Sequence, residues 1–192
     1  MKFALVVYDD VTLLDFSGVY DAISRLKTMG LMPELEYRVC AMKSPVRTFE
    51  GLELLPDQVG GSLSEYDYVF VPGGSGVAKL VGDTAFLSWL RSAAPKAVMT
   101  AVCGGSLVLG AAGYIAGKTA TTHPSLMQHL RRFTCAVSEE RVVDAGSVVT
   151  ARGVTSAVDL GLYLCARIAG SEAAETIRVQ MDYPHAVSYK AV

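Results

Sequence analysis

The stretch that decides the fold is AVMTAVCGGS, residues 97–106. Residues 97–102 form an uncharged apolar run, typical of a strand that is buried on both faces of a sheet, and an apolar pattern with helical spacing follows Ser106. A turn between a buried strand and a helix pushes the side chain at its tip out of the sheet, and the helix N-terminus favours an anion there. This strand-to-helix elbow predicts that Cys103 is an exposed, acidic thiol and a candidate nucleophile.

Composition sets the class of protein. With 192 residues and 51% apolar content, the chain is expected to form a single domain over residues 1–192. Its apolar stretches are interrupted well before the roughly 20 residues of a membrane span, and no cleavage-site pattern follows Met1. The net charge of -2 and one short basic cluster, Arg131-Arg132, do not suit a nucleic-acid binder. We therefore expect a cytoplasmic protein with no membrane and no nucleic-acid partner.

The four cysteines do not predict a metal site. Cys40, Cys103, Cys135 and Cys165 are scattered without CxxC spacing and without a histidine pair. Cys40 ends a strand-like run and Cys165 lies in an apolar helix, so both are expected to be buried, inert thiols. The glycine runs lack GxGxxG order and no P-loop is present, so no cofactor is expected.

Outward from the elbow, predicted strands and helices alternate. Strands are expected at 3–8, 36–40, 68–71 and 97–102, helices at 15–27, 83–93, 107–112, 154–168 and 172–179, and hairpins at 47–55 and 141–150. This alternation favours a mostly parallel sheet that is covered by helices on both faces. In such sheets, sites form at the carboxyl ends of the strands. Asp15, the Gly73-Gly74 turn and Cys103 are all expected there.

Three short motifs together resemble one known family. Leu13-Leu14-Asp15, Val71-Pro72-Gly73-Gly74 and residues 101–106 are similar to the DJ-1/PfpI (ThiJ) superfamily, which is related to class I glutamine amidotransferases. Residues 106–113 and 117–123 are most similar to its isonitrile (isocyanide) hydratase branch. The resemblance implies an α/β, flavodoxin-like three-layer α/β/α sandwich with a nucleophile elbow. It also implies an enzyme that acts on a small molecule and forms a homodimer with the nucleophile near the interface.

The resemblance also implies roles for individual residues. In the family, the elbow cysteine is the nucleophile and the carboxylate after the first strand is the acid, which correspond here to Cys103 and Asp15. Hydration of an isocyanide to an N-formamide requires such a nucleophile, a group that moves protons, and water. Burial is expected to raise the pKa of the carboxyl group toward a useful range. Candidates that bind developing negative charge through their backbone N–H groups are Gly73, Gly74, Gly104 and Gly105.

Two positions depart from the hydratase pattern. Gly104 stands where that branch has Thr, and Pro124 follows His123 where a Trp is frequent. Both changes alter the shape expected for the substrate pocket. His123 is a candidate substrate-binding residue, with a purely structural hydrogen bond as the alternative. For Asp15, an N-cap role at a helix start is the alternative to catalysis.

Other functions remain open beside isocyanide hydration. A glyoxalase or deglycase of the same superfamily is the nearest enzymatic alternative, and a non-enzymatic redox or ligand sensor is the second. A PfpI-type protease is disfavoured, because such proteases carry His directly after the nucleophile, where Gly104 stands.

Overall fold

The computed structural model describes residues 1–186 and 189–192, and it has the alternating order of strands and helices that the sequence predicts. The strands are β1 (Lys2–Val6), β2 (Glu36–Ala41), β3 (Val46–Arg47), β4 (Glu53–Leu54), β5 (Gln58–Val59), β6 (Tyr68–Val71), β7 (Val98–Val102), β8 (Thr119–Ala120), β9 (Ala136–Val137), β10 (Val142–Asp144), β11 (Val148–Ala151) and β12 (Lys190–Ala191). The helices are α1 (Leu13–Thr28), α2 (Val77–Leu80), α3 (Thr84–Leu90), α4 (Gly105–Ala111), α5 (Met127–Leu130), α6 (Ser156–Ala169) and α7 (Ser171–Gln180), and a 3-10 turn covers Pro124–Leu126.

One eight-stranded sheet forms the centre of the fold. Its strand order is β12-β10-β11-β7-β6-β1-β2-β5, and every neighbouring pair is parallel except β10 and β11. All of β6, and all but the first residue of β1 and of β7, are buried, as expected of parallel strands that are covered on both faces. Helices α1, α6 and α7 pack against one another, while α4 packs against α2 and α5. The predicted mostly parallel, flavodoxin-like α/β/α sandwich is confirmed.

The sheet topology creates a crevice beside β1. Strand β1 lies between β2 and β6, so the connections that leave β1 and β6 diverge at their carboxyl ends. In open α/β sheets, ligands bind at such a topological switch point. Helix α1 follows β1 there, the Pro72–Gly74 turn follows β6, and the elbow follows the adjacent β7. The topology therefore brings the three predicted segments to one edge of the sheet.

Close packing between α1 and α6 fixes the helix that carries Asp15. A Cβ atom on Gly161 of α6 would lie 2.7 Å from the Ala22 Cβ of α1, and one on Gly18 would lie 2.7 Å from the Ala157 Cβ. The two helices approach so closely because these positions lack side chains. Cys165 belongs to the same interface, where it is buried and lies with its Sγ 3.4 Å from the Ala22 carbonyl oxygen.

The structure also differs from the sequence-based assignment in several places. Helix α1 begins at Leu13 rather than Asp15, and the Glu50 carboxylate accepts a hydrogen bond from the Leu13 N–H. The pairing of β3 with β4 and of β10 with β11 confirms both hairpins. The elements that sequence reasoning missed are α2, β5, β9 and β12, which span only two to four residues, too few to show a period. Over the described ranges, no helix combines the length and apolarity that a bilayer crossing requires.

Candidate active site

The elbow at Cys103 is a backbone position under strain. Cys103 follows β7 with φ +56°, in the left-handed region that residues with a Cβ seldom adopt. Its N–H lies 3.1 Å from the Ala151 carbonyl oxygen and 2.7 Å from that of Arg152. Its own carbonyl oxygen accepts a hydrogen bond of 2.6 Å from the Thr122 hydroxyl. These contacts hold the elbow in the conformation that the sequence predicts for a nucleophile turn.

Asp15 lies beside this elbow and does not cap its own helix. It is the third residue of α1 and is fully buried. Its Oδ2 accepts a hydrogen bond of 3.2 Å from the Gly73 N–H, and its carboxyl group lies beside the Cys103 side chain, since a Cβ on Gly73 would come within 2.7 Å of both. Within the described part of the chain, its Oδ1 has no hydrogen-bond partner. The N-cap interpretation is therefore wrong, and the structure brings Asp15 and Cys103 together as the catalytic interpretation requires.

The surroundings of Asp15 keep its carboxyl group partly protonated near neutral pH. Burial raises the pKa of Asp15 from 3.8 to about 6, and the nearby Glu50 carboxylate adds to this increase. The neighbouring Cys103 thiol and the hydrogen bond from the Gly73 N–H act in the opposite direction, because they stabilise the ionised form. The expected increase in the carboxyl pKa is thus confirmed. A group of this kind can accept and donate a proton in the same reaction cycle.

The thiol differs from the prediction. Burial and the negative charge of Asp15 raise the pKa of Cys103 from 9.0 to about 12, although a hydrogen bond from the Gly104 N–H lowers it. The expectation of an exposed, acidic thiol is wrong, since the side chain is partly buried and lies beside a carboxylate. At neutral pH the thiol therefore holds its proton, next to the Asp15 carboxyl group.

Three of the predicted glycines meet steric requirements of the site. A Cβ on Gly73 would lie 2.6 Å from Asp15 Oδ2 and 2.7 Å from Cys103 Cβ, so its absence lets the two side chains approach. Gly74 has φ +135°, and a Cβ there would lie 2.3 Å from a backbone oxygen of Asp10. A Cβ on Gly105 would lie 2.1 Å from the Val71 carbonyl oxygen. The Gly73 N–H is already bonded to Asp15, so Gly73 positions the acid rather than offering its amide to substrate.

Gly104 differs from these three glycines. Its φ of -64° suits any residue. The atoms nearest to a Cβ there would be in the side chains of Val77, at 3.1 Å, and Leu126, at 3.4 Å. A side chain at position 104 would therefore fill space between α2 and the 3-10 turn, one residue after the nucleophile. Anion binding by the amides of Gly74, Gly104 and Gly105 stays a prediction.

His123 is held by its own turn. Its Nδ1 lies 2.8 Å from the Ser125 hydroxyl and 3.3 Å from the Ser125 amide nitrogen. A Cβ on Gly153 would lie 2.3 Å from the His123 ring, so the ring packs directly against that backbone. His123 and Arg152 help to line a cavity of about 440 Å³. These contacts support the interpretation that His123 has a structural role. Substrate contact by His123 stays a prediction.

Sequence reasoning missed three residues that support the site. Glu50 reaches α1 from the β3–β4 hairpin, Thr122 bonds the elbow carbonyl, and the Tyr8 hydroxyl donates a hydrogen bond of 2.6 Å to the Pro72 carbonyl oxygen. All three bonds join residues 19 or more positions apart and involve backbone groups. No sequence motif encodes such contacts. Over residues 1–186 and 189–192, no cluster of three His, Cys, Asp or Glu side chains is arranged to hold a metal ion.

Comparison with known families and proteins gives a consistent result. The model of the DJ-1/PfpI family matches residues 1–167. Isonitrile hydratase of Pseudomonas putida is 34% identical over 184 residues, which cover 95% of this chain and 78% of that protein. Protein DJ-1alpha of Drosophila melanogaster is 28% identical over 142 residues, which cover 71% of this chain and 65% of that protein.

Solved structures agree with these similarities. A ThiJ/PfpI family protein from Pseudomonas syringae superposes with a TM-score of 0.86 at 29% identity, over 96% of this chain and 76% of that one. Drosophila melanogaster DJ-1beta superposes with a TM-score of 0.83 at 21% identity, over 96% of this chain and 98% of the other, and so shares the fold.

Proposed function

Because the chain belongs to the DJ-1/PfpI family, we propose that it is an isocyanide hydratase-like enzyme that converts R–N≡C and water into an N-substituted formamide. The observation that carries the proposal is the adjacent pair of Cys103 thiol and Asp15 carboxyl group at the carboxyl edge of the sheet. The similarity to a protein named isonitrile hydratase supports the substrate class.

The thiol–carboxyl pair matches the chemical demand of the first half-reaction. Hydration of an isocyanide places both a nucleophile and a proton on the same carbon atom. Cys103 supplies the nucleophile, while Asp15, with a pKa of about 6, takes the thiol proton as sulfur attacks and then delivers it to that carbon. The C–S and C–H bonds form and the S–H bond breaks, which gives the thioimidate R–N=CH–S–Cys103.

The second half-reaction uses the same carboxylate as a base. Asp15 accepts a proton from water as the water oxygen adds to the thioimidate carbon, and it then delivers that proton to the nitrogen. The resulting intermediate, R–NH–CH(OH)–S–Cys103, then loses its C–S bond. The hydroxyl proton leaves through Asp15 to the departing sulfur, so R–NH–CHO is released and the thiol is restored. Asp15 returns to its starting protonation state in each cycle.

The thiol pKa favours this mechanism over a redox sensor. Oxidation sensing depends on a thiolate at ambient pH, since the thiolate is the form that peroxide attacks. A pKa of about 12 leaves Cys103 protonated there. A thiol whose proton is removed only as the substrate bond forms is suited to general-base catalysis instead.

The pocket next to the nucleophile is expected to accept larger isocyanides than a Thr at position 104 would allow. The space at Gly104 is bounded by Val77 and Leu126, and a Thr side chain would occupy it. We therefore expect the Gly104→Thr variant to lose activity toward bulky isocyanides more than toward small ones. Equal effects on both would show that this space is not part of the substrate pocket.

A substrate panel tests the proposal. Purified protein is incubated with small and bulky alkyl isocyanides and, separately, with methylglyoxal, and formamide is measured by NMR. We expect formamide formation that falls at least about 10³-fold in Cys103→Ala. Cys135→Ala, which removes an exposed thiol, is the matched control and is expected to retain full activity.

The other outcomes separate the competing functions. Consumption of methylglyoxal that depends on Cys103, without formamide formation, would favour the glyoxalase alternative. Conversion of Cys103 to sulfinic acid by mild peroxide, with no substrate turned over, would favour the sensor. The proposal includes a homodimer located in the cytoplasm, and light scattering tests the dimer.

A further inference from the structure

Tyr8 is a buried phenol that the mechanism above does not use. It follows β1, is 6% exposed, and packs edge-on against Phe86 with ring centroids 6.0 Å apart. Its hydroxyl donates a hydrogen bond of 2.6 Å to the Pro72 carbonyl oxygen. Burial raises the pKa of Tyr8 well above 10, so the phenol stays protonated and remains a donor at every pH at which the protein is assayed.

The acceptor of this bond belongs to the same peptide group that holds Asp15. The Pro72 carbonyl and the Gly73 N–H are the two ends of one amide, and the Gly73 N–H donates to Asp15 Oδ2 at 3.2 Å. Hydrogen bonding to an amide oxygen polarises the amide and strengthens its N–H as a donor. The contacts therefore form a continuous chain from the Tyr8 hydroxyl through the peptide to the carboxylate.

We propose that Tyr8 is a positioning residue for the acid–base group, which stabilises the ionised form of Asp15 through the Pro72–Gly73 peptide. The inference rests on the proposed role of Asp15 in proton transfer. Without the Tyr8 hydroxyl, the Pro72 oxygen would lose its partner and the Gly73 N–H would become a weaker donor. The carboxylate would then be less stable, so Asp15 would bind its proton more tightly.

Other groups near Asp15 set the background for this effect. The titratable groups that act on it are the Cys103 thiol and the Glu50 carboxylate, and both Asp15 and Cys103 in turn act on Tyr8. Both Cys103 and Glu50 lie outside the Tyr8–peptide chain, so a change at the phenol leaves them in place.

The test is a titration that does not depend on turnover. Protein labelled with ¹³C at the aspartate carboxyl carbons is titrated by NMR, and the Asp15 signal is identified by its loss in Asp15→Asn. We expect Tyr8→Phe to raise the midpoint of the Asp15 titration by about 0.5 pH unit. Tyr114→Phe is the matched control, because its half-buried hydroxyl donates to the Leu90 carbonyl, a group with no link to Asp15.

Each outcome decides the inference. An unchanged or lowered midpoint in Tyr8→Phe, or an equal shift in Tyr114→Phe, overturns it. A raised midpoint in a protein that hydrates no isocyanide keeps the inference and overturns the proposed function. If Tyr8→Phe does not fold, 3-fluorotyrosine incorporation replaces it: a stronger phenol donor should lower the Asp15 midpoint, and a midpoint that fails to fall overturns the inference.

Discussion

The thiols of Cys103 and Cys165 have similar pKa values, but the two residues differ in backbone conformation and in the polar group beside the sulfur. Burial is the main cause that raises the pKa of both Cys103 and Cys165 to about 12. Cys165 lies inside α6 with regular helical surroundings, and its sulfur faces the Ala22 carbonyl oxygen. Cys103 has φ +56°, and its side chain lies beside the Asp15 carboxyl group.

The comparison shows that the thiol pKa does not identify the nucleophile here. A buried thiol without a base keeps its proton and stays inert. A buried thiol beside a carboxylate can transfer that proton to the carboxylate as the sulfur attacks the substrate. The neighbouring base and the strained turn that aims the sulfur, rather than thiol acidity, therefore distinguish the elbow from the α1–α6 interface.

Removal of the carboxylate should make Cys103 resemble Cys165. We expect Asp15→Asn to lower kcat/KM for isocyanide hydration by about 10²–10⁴-fold, the usual contribution of a positioned general acid–base group. The same variant should lower the pKa of Cys103, because the Asp15 charge raises it in the wild type. Alkylation of Cys103 by iodoacetamide at pH 8, followed by mass spectrometry, should then become faster while turnover falls.

A fall in turnover together with faster alkylation would show that Asp15 acts as a base. A purely electrostatic effect of its charge would change both rates in the same direction. Asp21→Asn is the control: Asp21 lies on the same helix, is partly exposed and pairs with Arg25, so both rates should stay at wild-type values. Asp15→Asn with wild-type turnover would show that thiolate formation does not need this carboxylate.

The raised pKa of Asp15 also means that this buried residue lowers the free energy of unfolding at neutral pH. A folded-state pKa of about 6 against 3.8 when exposed means that the folded protein binds this proton more tightly. The stability contributed by protonated Asp15 is fully present below pH 3.8 and is lost as the pH rises through 6. At pH 7 the ionised, buried carboxylate costs about 3 kcal/mol.

Chemical denaturation tests this cost directly. Asp15→Asn should be more stable than the wild type at pH 7, by up to about 3 kcal/mol, and the difference should shrink toward pH 4. Subtraction of the two curves removes the other carboxyl groups, which titrate in both proteins. A difference that is constant from pH 4 to pH 7 would contradict the raised pKa.

The sequence predicted the placement of the elbow much better than its chemistry. Residues 97–102 form a long apolar run, so β7 and the turn after it followed from local pattern alone. The acidic thiol was inferred from the helix N-terminus, an effect worth about 1 kcal/mol that acts locally. The depth of Cys103 and the charge of Asp15, which arise from contacts 88 positions apart, outweigh that effect.

Residues that support the site but belong to no sequence motif could not be predicted from local sequence pattern. Tyr8 ends an apolar run and reads as a core side chain, while its hydroxyl bonds a carbonyl 64 residues away. The same limit applies to β5 and β12, which consist of two residues each and exist only because a neighbouring strand pairs with them. The Gly73-Gly74 turn was predicted, but the bond from Gly73 to Asp15 depends on the tertiary fold.

The smallest expected effect comes from two matched glycine substitutions. Gly73→Ala would place a Cβ 2.6 Å from Asp15 Oδ2 and 2.7 Å from Cys103 Cβ, whereas Gly161→Ala would place one 2.7 Å from Ala22 Cβ. Each should cost about 1–3 kcal/mol in chemical denaturation, because neither site has room for a methyl group. Only Gly73→Ala should also lower turnover per folded molecule, since its Cβ separates the acid from the thiol. If Gly161→Ala lowered turnover equally, the elbow would depend on global packing rather than on the contact between Asp15 and Cys103.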